Sequence, residues 1–151
     1  MEMDLSVRVA IIASGAFLFL GMLTGVIKYL QIRASEHKRA HYYIDIAHRS
    51  SLMYSAATLI LAVLAYFSVW SAKLNLWLVL GNITFFALAI FSYIIHGLLK
   101  DTQNQFKQPH TVGPWSLPPI LISGFMFALI IVELGCTLGL LVGATLTLLI
   151  V

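Results

Sequence analysis

Charge is what this sequence has least of. Only 10% of its 151 residues are Asp, Glu, Lys or Arg, against about 25% in soluble domains. A water-soluble fold of this size could not hide a chain that is 60% apolar with mean hydropathy +0.95. Lipid is therefore the expected solvent. Cysteine is nearly absent, and Cys136 alone allows neither an internal disulfide nor a Cys-based metal site. There is no GxSxG, HExxH, P-loop or GxGxxG, so the usual soluble-enzyme chemistries have no foothold. The strand alternation of a membrane β-barrel is missing. A basic n-region is missing as well: Glu2 and Asp4 stand where a signal peptide needs positive charge, and the uncharged run Val9–Ile27 is longer than a typical signal core.

What is there reads as an all-α, integral membrane four-helix transmembrane bundle in a single domain. The expected spans are about 8–30, 45–70, 76–99 and 118–148. Gly21 and Gly25 in the first span are a small-xxx-small pair that would let another helix approach closely. The connection 31–43 is too polar for lipid. The turn Ser71-Ala72-Lys73-Leu74-Asn75 is short, which makes the second and third helices antiparallel neighbours. Ser116 can cap the fourth helix, and Pro118-Pro119 suit its first turn. From Pro119 to Val151 there are 33 residues, or about 50 Å of helix, against a hydrocarbon core of about 30 Å. Gly135, Gly139 and Gly143 form a GxxxGxxxG ridge along it. That ridge serves packing within one chain or contact with a second copy.

The net charge of +3 does not imply nucleic acid, because the basic residues gather beside helix ends. Lys28, Arg33, Lys38, Arg39, Arg49, Lys100 and Lys107 lie at one end of the spans, and Arg8 and Lys73 at the other. Seven against two predicts both termini outside the cytoplasm. The expected location is a bacterial inner membrane.

Polar groups crowd at residues 40–54. His41, Asp45 and His48 are spaced i, i+4, i+7, one face of a helix. Asp45 could orient an imidazole that ligates a metal, or pair with Arg49 in an interfacial helix start. Ser51 and Ser55 continue the face of His48. Folding the third span back on the second brings Tyr93 and His96 to the depth of His48 and Tyr54. These four either build a site or anchor the helices at the interface. Glu133 is the only acidic residue deep in a span, with Asn82 expected opposite it. It is a proton-relay or substrate-binding group, or a protonated hydrogen bond between helices. Cys136 reads as a small packing residue.

Two segments carry a resemblance. Ala47-His48 at the entry of the second span, and Thr111-Val112-Gly113-Pro114 with Pro119, Ile122 and Phe125, resemble the matching parts of the membrane-bound styrene oxide isomerases. The resemblance covers about Ala47 to Gly143, with gaps. It implies haem b on a histidine, here His48, in a homo-oligomer, a trimer in that family. It also implies ferric iron acting as a Lewis acid that opens a small apolar epoxide to an aldehyde. Ser51 and Ser55 would then line the cofactor, with Tyr54, Tyr93 and Asn82 as candidate catalytic residues. The chain departs from the family at three positions. Tyr54 stands where that family has Asn, and Gly81 and Ala89 where it has Asp and Tyr. Two other functions fit the composition: a non-catalytic membrane assembly subunit, and a small proton-coupled transporter using Glu133.

Overall fold

A computed structural model describes residues 3–150. Four long helices run up and down: α1 (Leu5–Ala34), α2 (Tyr42–Phe67), α3 (Ala72–Leu99) and α4 (Pro119–Ile150). All four are long and apolar enough to cross a membrane, and the chain is an integral membrane protein. The exterior agrees. Its most exposed side chains include Leu149 at 80% and Ile120 at 77%, a surface only lipid or another helix can cover. The interior is built from small and polar residues. Ala10, Ala47, Ala62, Ser51, Thr58 and Asn82 are all buried, which lets helices approach closely without a hydrophobic force between them.

α1 and α2 form the most extensive pair, and the small-xxx-small pair explains why. A Cβ on Gly21 would lie 2.6 Å from Leu52, and one on Gly25 would lie 3.0 Å from the His48 ring. Hydroxyls close the seam further down, where Ser14 donates to the Ser55 carbonyl at 2.9 Å. α2 and α3 come very close at Gly97, where a Cβ would meet Ile44 side-chain atoms at 2.6 and 2.7 Å and its backbone nitrogen at 2.8 Å. α4 leans on α3 and α2. Only 6% of its apolar window is buried, against 22–33% for the others.

Several ends differ from expectation. α1 runs on to Ala34, α2 begins at Tyr42 and α3 at Ala72, so most of the expected turn 71–75 is the first turn of α3, capped by the Ser71 hydroxyl on the Leu74 N–H. α2 stops at Phe67 rather than Trp70, because the next residues turn to α4: Val69 N–H donates to Gly143 O at 3.2 Å and Trp70 Nε1 to Gly139 O at 2.8 Å. Gly139 and Gly143 therefore serve packing within the chain, while a Cβ on Gly135 meets nothing within 4 Å. The α3–α4 connection is not a plain loop. It holds a hairpin of β1 (His110–Val112) and β2 (Trp115–Leu117), turning through Gly113 at φ +56°. Ser116 pairs with Thr111 in that hairpin and is not the α4 cap; α4 begins directly on Pro119, whose missing N–H suits a first turn.

Candidate functional site

The polar residues expected to form one site fall into three, divided by the faces of α2. The first lies between α1 and α2. The Nδ1 of His48 is 2.8 Å from Gly21 O. A carbonyl can only accept, so Nδ1 carries a proton, and in the neutral ring Nε2 holds the lone pair. Among the described residues Nε2 has no hydrogen-bond partner, and it is not sealed inside the bundle. A half-buried imidazole thus offers a free donor atom from a fixed ring.

Its expected neighbours do other work. Asp45 does not orient it. The carboxylate is held by Lys28 of α1 at 2.6 Å and by Arg49 at 2.8 Å. His41 caps α2 with its ring on the Tyr43 N–H, so it lies before the helix and off the expected face. Ser51 is buried and donates to Ala47 O of its own helix at 2.7 Å, and Ser55 is buried against Ser14 of α1. Of the residues expected to hold a cofactor, only His48 presents an unused atom. Among the described residues no three His, Cys, Asp or Glu side chains gather as a metal-ion site. A metal on His48 would have to bring its other ligands with it, as a macrocycle does.

The second cluster plugs the loop-bearing end of α3. His96 Nδ1 lies 2.8 Å from Asp101 Oδ1, with both side chains about nine-tenths buried. The other carboxylate oxygen accepts from the Gly113 N–H at 2.7 Å. Tyr43 stacks on Tyr93 at 6.0 Å and lies 5.3 Å from the His96 ring, and its hydroxyl accepts from Gln105 N–H at 2.7 Å. Beneath the hairpin is a cavity of about 90 Å³ between Ser92, His96, Gln105, His110 and Phe125. Tyr93 and His96 do come together, then, but with Tyr43 rather than His48.

Burial pushes the Asp101 carboxyl up; the Gly113 amide and the His96 ring more than offset this and leave it below the usual carboxylate range. A carboxyl lowered on folding stabilises the fold above its unfolded pKa, and that contribution is lost as pH falls through the lowered value. The clasp should therefore hold at neutral pH and open in acid. Asp101→Ala is expected to cost about 1–3 kcal/mol, the range for orphaning buried polar partners. It should free the hairpin first, seen as faster hydrogen exchange at the Gly113 amide.

The third cluster is deep in the bundle. Tyr54 stacks on Phe86 of α3 at 4.2 Å and 8°, on a different face of α2 from His48. Glu133 lies within electrostatic reach of the Tyr54 and Tyr93 phenols, and its Oε1 is buried with no partner. Asn82 does not reach it. It accepts from Thr137, one turn further along α4, at 3.1 Å and donates to Leu78 O. Gly81 admits α4, since a Cβ there would lie 2.8 Å from Cys136 Sγ, in keeping with a packing role for Cys136.

Gln31 ties three elements, although it does not stand out in the sequence. Its Oε1 accepts from His41 N–H at 2.8 Å, and its Nε2 donates to Gly97 O at 3.3 Å. The one signal for it is an amide just past the last apolar turn of a span. Compared with family models, curated proteins and solved structures, the chain finds no match. The functional reading rests on the side chains.

Proposed function

We propose that the chain is a haem-b-binding membrane protein with His48 as the iron ligand, of the styrene-oxide-isomerase type. The observation that carries this is the His48 tautomer. The Gly21 carbonyl holds Nδ1–H and leaves Nε2 free on a fixed ring, the arrangement that ligating histidines have. Haem supplies a Lewis acid that can polarise an epoxide oxygen. Residues 45–49 then lie at the cytoplasmic mouth of α2, with both termini on the other side of a bacterial inner membrane. The test is the absorbance spectrum of protein purified in detergent after expression with ample haem. A Soret band in stoichiometric amount is expected, and a colourless protein refutes the reading.

The isomerase step is the further part of the proposal. Within one chain Tyr54 and Tyr93 lie on the α3 side of α2, away from His48. If His48 holds a haem, a polar group that reaches the substrate would come from a second copy, in keeping with the homo-oligomer that the resemblance implies. Conversion of styrene oxide to phenylacetaldehyde by the purified protein tests this.

The buried, unpaired Glu133 oxygen favours a second reading, in which Glu133 with Tyr54 and Tyr93 exchanges protons or holds a polar solute in mid-membrane. Glu133→Gln keeps the shape and removes the ionisation. Under this reading it abolishes proton-coupled uptake in proteoliposomes; uptake that survives the change counts against it.

A further inference from the structure

A further cavity lies at the loop-bearing end, between the close of α1 and the start of α2. It measures about 980 Å³, the upper end of ordinary ligand sites. Its walls carry Lys28, Lys38, Arg39 and Lys100 against the single carboxylate of Asp45. That carboxylate is occupied by Lys28 and Arg49, so Lys38, Arg39 and Lys100 line the cavity with no acidic partner among the described residues. His41 also lines it. Burial, and then the Lys100 charge, hold its imidazole below the ordinary histidine range, with Asp101 opposing them.

Basic residues at helix ends are ordinary in membrane proteins, and alone they make no site. The backbone adds a second, independent observation. Among the described residues only two that are not glycine have positive φ: Lys38 at 53° and Lys100 at 54°. Both line this cavity. Lys100 is the αL cap of α3, a position where glycine or asparagine is the usual choice because a Cβ is strained there. Lys38 closes the turn after α1 with its N–H on Ser35 O. Strained non-glycine residues gather at ligand clamps. Two lysines, each on a backbone that would favour glycine and both lining one cavity, point to what that cavity binds.

We propose that this cavity is a phosphate-binding site clamped by Lys38 and Lys100, the phosphate being carried by an anionic lipid headgroup or free in solution. The headgroup source matches basic pockets between helices at a membrane surface. The site is independent of haem at His48.

The test compares the wild-type protein with a Lys38→Gly, Lys100→Gly double variant in phosphatidylcholine nanodiscs. Thermal midpoints are read with millimolar inorganic phosphate, with a chloride control of matched ionic strength, and in discs containing phosphatidylglycerol. The wild type is expected to gain several degrees in at least one arm. A gain with inorganic phosphate assigns the free ion, and a gain only with phosphatidylglycerol assigns the headgroup. The double variant, relieved of two strained residues, is expected to melt at or above the wild type without ligand and to gain nothing in either arm. The proposal is overturned if the wild type responds in neither arm, or if the variant responds as the wild type does. It is equally overturned if the unliganded variant melts lower, which would make the lysines part of the fold.

Discussion

His48→Ala is expected to leave a folded protein with no Soret band. Haem affinity should fall at least about 100-fold, beyond the 10–100-fold that follows loss of a partner one shell further out. Of the residues expected to hold the cofactor, His48 alone offers an unused donor atom, and alanine supplies none. The α1–α2 seam keeps its other contacts at Gly21, Ser14 and Ser55, so folding should survive and the loss be read directly. Gly25→Ala is the graded companion. Its new methyl would press on Cε1 at 3.0 Å, tilting the ring without removing it, and the Soret band should weaken rather than vanish. His96→Ala should leave the band in place, because His96 is turned to Asp101. Equal spectra for His48→Ala and wild type would refute the assignment.

Gly97→Ala should be among the most destabilising single-methyl changes in the chain. The added carbon would lie 2.6–2.8 Å from Ile44, and the 2.8 Å neighbour is backbone. A side chain can rotate away from such a contact, but a helix backbone must move as a whole. Overpacking of this kind costs about 1–3 kcal/mol. It would also disturb the Gly97 carbonyl that accepts from Gln31. The control is Gly15→Ala, where nothing lies within 4 Å and the helix gains up to about 1 kcal/mol of intrinsic propensity. Thermal unfolding in one detergent should show the first variant melting well below wild type and the second at or above it. Equal midpoints would mean that α2 and α3 are not tightly held at this crossing.

The spans are legible in the sequence because an uncharged run of about twenty residues has few ways to exist other than as a helix in lipid. The role of Gly21 and Gly25 is legible too, since small residues at helical spacing mark a close approach. What escapes is everything fixed through space. Asp45 reads as a partner for His48 along one helix face, but Lys28 reaches it from another helix, and no spacing within α2 reveals that. α2 ends three residues before its expected close because α4, far along the chain, takes up Val69 and Trp70. The hairpin at 110–117 is held by Asp101 on Gly113, a clasp that strand propensity over three residues cannot announce. His48 itself stands out in the sequence as a residue, but its tautomer depends on a carbonyl in α1 and belongs to the fold alone.

The slight burial of α4 bears on how the chain is made. Segments emerge from the ribosome in order, and α1, α2 and α3 hold most of the bundle's interior between them. That interior includes the notch around His48 and the clasp of Gln31 on Gly97. Such a nucleus can close while α4 is still being synthesised. α4 then arrives as a late addition at the side of a finished three-helix unit, and its own apolarity, more than its neighbours, carries it into the bilayer.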